Sequence, residues 1–185
     1  MECGLLFLSP RMDEDELGEF YRTRFTTERC YQREKAEYQK LAEEHFEVLK
    51  PHLTGRILEV GCGKGYLIRL LKQAGYDAQG TEIGNRSEVP IVTPSGRYDM
   101  VLLIHVLEHL RHPRRMLREL HDLTDRIYVE IPAYDLAKPH SGYHHSAHLY
   151  DFSRDHLKRL LQEEGWNISM EFYYKHHAKW YGIVT

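Results

Sequence analysis

A short apolar run, a glycine-rich turn and a helical segment follow one another early in this chain, and this succession restricts the fold most strongly. The run from Arg56 to Val60 is typical of a buried strand, and residues 66–74 have helical character that ends at Gly75. Between them lies the turn Gly61-Cys62-Gly63-Lys64-Gly65, whose glycines permit positive φ and the close approach of a ligand. A strand that enters a helix through such a turn predicts an open α/β sheet, where ligands bind beyond the carboxyl ends of the strands.

The rest of the chain continues this alternation of β-rich and helical segments. Further strands are predicted at 78–83, 98–104 and 126–131, helices at 113–122 and 153–164, and a final antiparallel strand pair at 167–174 and 179–184. The predicted fold class is therefore α/β, with a Rossmann-like, mostly parallel sheet, an antiparallel C-terminal strand and helices on both faces.

Two regions are expected along the chain. Residues 1–50 form an N-terminal helical arm or lid, whose main helix covers about residues 27–50 and ends at Pro51. Residues 51–185 form the ligand-binding domain. The chain has 185 residues, enough for one such domain with a substantial core.

Composition and charge narrow the functional classes. The net charge is −3 and no basic stripe is present, so no nucleic-acid partner is expected. No apolar run reaches the length of a membrane span, and the N-terminus lacks the pattern of a signal peptide, so neither a membrane nor export is expected. The three cysteines are widely separated, which fits a reducing cytoplasm. The oligomeric state stays open.

Two carboxylates near the glycine turn indicate which kind of ligand it binds. Glu59 precedes the G-x-G-x-G turn, a spacing that differs from the G-x-G-x-x-G of dinucleotide sites. A carboxylate there suits a ligand with ammonium and sulfonium groups, such as S-adenosylmethionine. Glu82 ends the second predicted strand, where an acidic side chain can accept hydrogen bonds from both ribose hydroxyls.

Four segments resemble motifs of the class I S-adenosylmethionine-dependent methyltransferases, in the ubiquinone-biosynthesis-like branch that acts on small molecules. They are Ile57–Gly65, Gly80–Ile83, Tyr98–Leu110 with Pro113, and His148–Ser153 with Leu157, Leu160-Leu161 and Gly165-Trp166. The resemblance implies that residues 51–185 are a methyltransferase domain that binds S-adenosylmethionine, releases S-adenosylhomocysteine and methylates a small molecule, with oxygen expected as the acceptor atom. The implied cofactor-binding residues are Glu59, Gly61, Cys62, Gly63, Gly65, Tyr66, Glu82, Ile83, Ile104 and His105.

Histidines are the candidates for general bases, because they titrate near neutral pH. The resemblance favours His148, followed by His144 in the same loop, and His105 is a third candidate at the end of the fourth-strand segment. His105, Glu108 and His109 are spaced i, i+3 and i+4, so they can share one face of a turn. Whether these three hold a divalent metal stays open, and the interpretation adopted is that no metal is bound. Cys3 stands in a stretch that resembles the tail of a zinc ribbon, but the other ligands are missing, so no zinc is expected there.

One interval departs from the family pattern. Only 15 residues, 83–97, separate Glu82 from Tyr98, and they include two prolines and two glycines. The second crossover helix is therefore expected to be shortened or missing, with at most a short strand between Val89 and Thr93. This leaves two rival hypotheses, a non-catalytic protein that binds S-adenosylmethionine through a degenerate methyltransferase fold and, less favoured, a nicotinamide oxidoreductase.

Overall fold

The computed structural model describes residues 5–23, 35–84, 87–132, 148–175 and 179–185, with side chains omitted at 172–175, 179–181 and 183. In chain order the elements are β1 (Leu6–Phe7), α1 (Glu14–Thr23), α2 (Lys35–Leu49), β2 (Arg56–Val60), α3 (Tyr66–Gln73), β3 (Asp77–Thr81), β4 (Met100–Ile104), α4 (Pro113–Glu119), β5 (Ile127–Pro132), β6 (Tyr150–Asp151), α5 (Arg154–Glu163), β7 (Met170–Lys175) and β8 (Lys179–Val184). Short 3₁₀ turns lie at Lys50–His52, Leu107–His109 and Leu120–Asp122.

The chain divides into two compact units, and the first contains Met12–Leu102 with Leu123–Asp125. In this unit β2 pairs with β3 in parallel, with Ile57 opposite Ala78, and both of these side chains are fully buried. This parallel pair is the one that the sequence predicts, since an entire helix connects the two strands. Its carboxyl end carries the glycine turn.

Helix α1 belongs to the same unit and shows how local sequence sets its start. The Asp13 carboxylate accepts the Glu16 N–H at 2.8 Å, and the Glu16 carboxylate accepts the Asp13 N–H at 2.9 Å. This reciprocal pair is a capping box, and it explains why the acidic run opens a helix. Helix α2 follows, and the predicted start near residue 27 lies outside the described residues.

The interval after β3 contains no helix in the ranges 82–84 and 87–99 that the structure describes. A parallel bridge joins Gly80 to Ile91, and the Val92 N–H donates to the Gly80 carbonyl at 3.0 Å. The expectation of a missing crossover helix and a minimal strand is confirmed. The predicted strand over 78–83 is too long, because the chain turns at Glu82.

The second unit contains Met1–Arg11, Leu103–Asp122 and Arg126–Thr185. In it β8 pairs antiparallel with both β5 and β7, as predicted for the C-terminal strands. Helix α5 begins after Ser153, whose side-chain oxygen accepts the His156 N–H, so the predicted N-cap is confirmed. Strands β1 and β6 form a separate two-stranded sheet.

The strand order of the six-stranded sheet is β3-β2-β4-β5-β8-β7. This mixed α/β topology, parallel at β2–β3 and antiparallel at the C-terminal strands, confirms the predicted fold class. The buried core follows the strands, and its large side chains include Leu58, Met100 and Leu103. Among the residues described, no helix is long and apolar enough to span a membrane.

Candidate functional site

The glycine turn after β2 has the backbone conformation that its sequence requires. Gly61, Gly63 and Gly65 have φ of 70°, 54° and 79°, all in the left-handed region that side chains with a Cβ rarely adopt. Gly65 is also the N-cap of α3, so the turn delivers the chain directly into the helix. The turn is therefore a tight loop of left-handed glycines that leads into a helix, as predicted from the sequence.

Gly65 and Gly63 offer a matched pair for testing this turn. A Cβ at Gly65 would lie 2.3 Å from Val89 Cγ2, whereas a Cβ at Gly63 would have no heavy atom within 4 Å. We expect Gly65→Ala to lower the free energy of unfolding by about 2–4 kcal/mol, through backbone strain and overpacking. Gly63→Ala should cost about 1 kcal/mol, from backbone strain alone. Urea unfolding measures both, and equal losses would contradict the packing of Val89 on Gly65.

Glu59 is the unusual group beside this turn. It lies in β2 with only 7% of its surface exposed, and its Oε2 has no hydrogen-bond partner within the described chain. Burial, followed by repulsion from Glu82, raises its pKa from the ordinary 4.5 to about 8. A buried carboxylate oxygen without a partner is costly unless a ligand cation satisfies it. Glu59 Oε2 is thus an acceptor that a ligand ammonium group would satisfy.

Glu82, directly after β3, is hydrogen-bonded to the same turn. Its Oε2 accepts the Gly63 N–H at 2.8 Å, and its Oε1 accepts the Gly84 N–H at 2.9 Å. An ionised carboxylate oxygen has two lone pairs, so it can accept hydrogen bonds from more than one donor. The side chain is 9% exposed, and Ile83, next to it, is 60% exposed. The structure therefore brings Glu59, Glu82 and the glycine turn together.

Cys62 and Tyr66 complete the cofactor residues that the sequence predicts in this unit. Burial, with repulsion from Glu59 and Glu82, raises the pKa of the Cys62 thiol to about 12, so it stays protonated. The Tyr66 hydroxyl donates to Glu88 at 3.3 Å. Glu88 also donates its backbone N–H to the Lys64 carbonyl at 3.2 Å, so the shortened interval folds back onto the turn.

A different buried network lies in the second unit, around His105. Its Nδ1 lies 3.3 Å from Glu108 Oε1, and its Nε2 lies 3.1 Å from Glu130 Oε1. Glu130 also accepts the Tyr128 hydroxyl at 2.6 Å. Both carboxylates are almost completely buried, and His105 itself has a φ of 53°, in the left-handed region. Four polar side chains are therefore held in one chain of contacts.

This network determines the charge state of His105. Burial by itself would lower the pKa of His105, but hydrogen bonds and attraction to Glu108 and Glu130 outweigh burial and raise it to about 10. Burial would likewise raise the pKa of Glu108, but its bond to His105 and the charges of nearby histidines lower it. His105 is thus an imidazolium with both nitrogens engaged. In that state it has no lone pair with which to accept a proton.

His148, the favoured base, lies beside a carboxylate. Its Nδ1 is 3.8 Å from Asp151 Oδ1, and its ring meets the His109 ring edge-on with centroids 4.7 Å apart. One ligand atom each from Glu108, His109 and His148 lies within 4.8 Å of the other two, a spacing that could admit a cation. That no metal binds here stays a prediction. His144 lies outside the described residues.

Several contact residues were missed from the sequence. Glu130 and Tyr128 stand in an apolar strand, where a buried carboxylate is rare, and that exception was the available signal. Glu88 and Val89 carried no comparable signal, because their contacts depend on how the shortened interval folds. Ile104 ends β4 as predicted and is half-buried.

The chain matches the family model described as "Methyltransferase domain" over residues 30–170. Ubiquinone biosynthesis O-methyltransferase of Bordetella avium is 30% identical over 98 residues, covering 40% of this chain and 41% of that protein. The match thus spans less than half of that relative.

Solved structures with a similar fold include two enzymes. Magnesium protoporphyrin IX methyltransferase from Synechocystis PCC 6803, with bound S-adenosylhomocysteine, superposes with a TM-score of 0.69 at 17% identity, covering 93% of this chain and 98% of that one. For Burkholderia thailandensis 1,6-didemethyltoxoflavin-N1-methyltransferase, bound to its substrate and S-adenosylhomocysteine, the TM-score is 0.73 at 14% identity, with 97% and 93% covered. These likenesses support the fold, and the family model covers most of the sequence. The chain belongs to the methyltransferase domain family.

Proposed function

We propose that this chain binds S-adenosylmethionine and transfers its methyl group to a small-molecule acceptor, with an oxygen atom as the nucleophile. The observation that carries the proposal is the buried Glu59 oxygen beside the glycine turn, which has no hydrogen-bond partner among the described residues. A nucleotide phosphate would make ionisation of Glu59 still more costly, whereas a donor with ammonium and sulfonium charges would stabilise the ionised carboxylates. This electrostatic preference also disfavours a nicotinamide dinucleotide.

The binding residues have separate tasks in this proposal. Glu59 accepts the donor's ammonium, and Glu82, which also accepts the Gly63 and Gly84 N–H groups, accepts its ribose hydroxyls. The glycine turn lets the backbone approach, and the exposed Ile83 offers an apolar surface for the adenine. Two structures of similar fold carry S-adenosylhomocysteine, which supports this choice of cofactor.

On the acceptor side, His148 is proposed to remove the proton. When bound, S-adenosylmethionine supplies an electrophilic methyl group on its sulfonium sulfur. The acceptor hydroxyl would give its proton to His148 Nε2, while Asp151 at 3.8 Å from Nδ1 stabilises the imidazolium that forms. His105 is proposed to act as a fixed positive charge rather than as a base, because Glu108 and Glu130 hold its proton. Oxygen is preferred by the likeness to an O-methyltransferase.

Isothermal titration of S-adenosylmethionine into the wild type and Glu82→Gln tests donor binding. We expect the variant to bind roughly tenfold more weakly, because an amide cannot accept the hydrogen bonds that two carboxylate oxygens accept. Glu119→Gln, at an exposed carboxylate of α4, is the control and should bind like the wild type. Equal binding by Glu82→Gln would contradict the ribose assignment.

Turnover is tested separately, by release of S-adenosylhomocysteine with panels of phenols, carboxylic acids and amines. Release with hydroxyl-bearing acceptors and not with amines supports O-methylation. Donor binding without release from any acceptor favours the non-catalytic rival, for which the shortened interval 83–97 is the motivating feature. Stabilisation by NAD without S-adenosylmethionine binding would overturn the proposal.

A further inference from the structure

A cavity of about 680 Å³ lies between α4 and α5 in the second unit. None of its lining residues belongs to the glycine turn or to the network of His105, Glu108, Glu130 and Tyr128. Its volume falls in the range of small-molecule sites. Part of its wall is apolar and well buried, from Pro113, Phe152 and Leu160.

The other part of the wall is strongly cationic. Five arginines line the cavity, namely Arg111, Arg114, Arg115, Arg118 and Arg159, against a single acidic lining residue, Glu163. Arg114 forms ion pairs with Glu163 and with Glu164, the latter at 2.6 Å. Arg118 pairs with Glu164 at 3.6 Å, Arg115 pairs with Glu119 at 3.8 Å, and Arg159 makes no ion pair within the described ranges. Because arginines outnumber acidic residues in the lining, positive charge is in excess in the wall of this partly apolar cavity.

His156 is an independent indication that a ligand binds in this cavity. It lines the cavity, and its Nδ1 is 3.0 Å from Ser153 Oγ. Its Nε2 is buried and has no hydrogen-bond partner among the described residues. If Ser153 donates to Nδ1, the orphaned Nε2 carries the proton and needs an acceptor. A buried donor without an acceptor is costly, so an acidic oxygen in the cavity would satisfy it.

We propose that this cavity binds an anionic small molecule that carries an apolar body, such as an aryl or alkyl phosphate or carboxylate. The acid group would contact His156 Nε2 and the Arg159 and Arg115 guanidinium groups, whose planar donors suit a phosphate or carboxylate. The apolar body would lie against Pro113, Phe152 and Leu160. The site takes a different ligand from the methyl donor and stands independently of the proposed methyl transfer.

Phenyl phosphate is the probe, titrated into the whole chain by calorimetry and by the imidazole NMR signals of His156, assigned with His156→Gln. We expect saturable binding that shifts the His156 signals. Inorganic phosphate and benzyl alcohol, which each lack one half of the probe, should bind at least roughly tenfold more weakly. The double variant Arg115→Gln/Arg159→Gln should lose roughly tenfold in affinity, and the surface variant Arg97→Gln should lose none.

Four results would overturn the proposal. Three are the absence of saturable binding to the wild type, equal affinity in the double variant, and equal affinity for inorganic phosphate. The fourth is binding to vesicles of phosphatidylcholine and phosphatidic acid without phenyl phosphate binding, which would show a surface for lipid headgroups instead of a site for a small molecule. Repeating the titration with Glu59→Gln separates this site from the donor site, since phenyl phosphate binding should be unchanged.

Discussion

Replacing Glu59 with glutamine is expected to weaken S-adenosylmethionine binding by roughly 100-fold, while making the free protein more stable. The loss follows because the buried carboxylate is the proposed partner of the donor's ammonium, and a charge-assisted contact out of water contributes strongly. The gain follows because the wild type must keep a buried, unpartnered carboxyl group beside Glu82. Calorimetry measures the first effect and urea unfolding the second.

The stability advantage of Glu59→Gln over the wild type should increase with pH. Below pH 4.5 Glu59 is protonated in both folded and unfolded chains and contributes no pH dependence. Between 4.5 and about 8 the unfolded chain releases the proton that the folded chain retains, so wild-type stability falls as pH rises. The variant lacks this decline. Its advantage should therefore grow across that window, to on the order of 1–3 kcal/mol at pH 8.

Donor binding to the wild type should release a proton below pH 8, because Glu59 must ionise to accept the ammonium. Affinity should then rise towards pH 8 and fall again as the donor's amino group loses its own proton. Titrations in buffers of different ionisation enthalpy count that proton. Glu119→Gln, at an exposed carboxylate, is the control and should bind like the wild type. Unchanged affinity in Glu59→Gln would contradict the assignment of the ammonium site.

The second large effect is expected at His105. His105→Gln should lower the free energy of unfolding by about 3–5 kcal/mol near pH 7, because it leaves Glu108 and Glu130 buried without their shared cation. Thermal and urea unfolding measure the loss. His112→Gln, at an exposed histidine, is the matched control and should change stability by less than about 0.5 kcal/mol.

The difference in stability between the wild type and His105→Gln should be widest near neutral pH. In the wild type, the stabilisation from a raised histidine pKa is complete below 6.5 and is lost as pH rises through about 10. In the variant, Glu108 and Glu130 lose their cation, so their ionisation in the folded protein becomes costly and stability falls above about pH 4.5. The gap should thus narrow towards pH 5 and towards pH 10. A small, pH-independent loss would contradict the ion-paired network.

The two buried carboxylate sites differ in whether the protein supplies a cation. Glu108 and Glu130 both contact the His105 imidazole through Oε1, although Glu108 Oε2 has no hydrogen-bond partner among the described residues. Glu59 Oε2 is also buried without a partner in the described part of the chain, and there repulsion from Glu82 adds to the cost in the free protein. Strain of this kind is typical of functional sites, where the ligand supplies the missing contact.

The sequence by itself determined the fold class and the conformation of the glycine turn. Alternation of strands and helices predicts the parallel β2–β3 pair, and the spacing of Gly61, Gly63 and Gly65 predicts the positive φ angles that the structure shows. The Ser153 cap and the shortage of residues for a second crossover helix could also be predicted. These features are local, because each depends on the conformational preferences of a few neighbouring residues.

Only the tertiary structure decided how distant side chains combine. It placed Val89 against Gly65, joined His105 to Glu130 from another strand, and brought arginines of α4 and α5 around one cavity. It also placed His105 between two carboxylates that raise its pKa to about 10. No local pattern contains this information, since a pKa or a burial depends on groups brought together by the fold across long sequence separations.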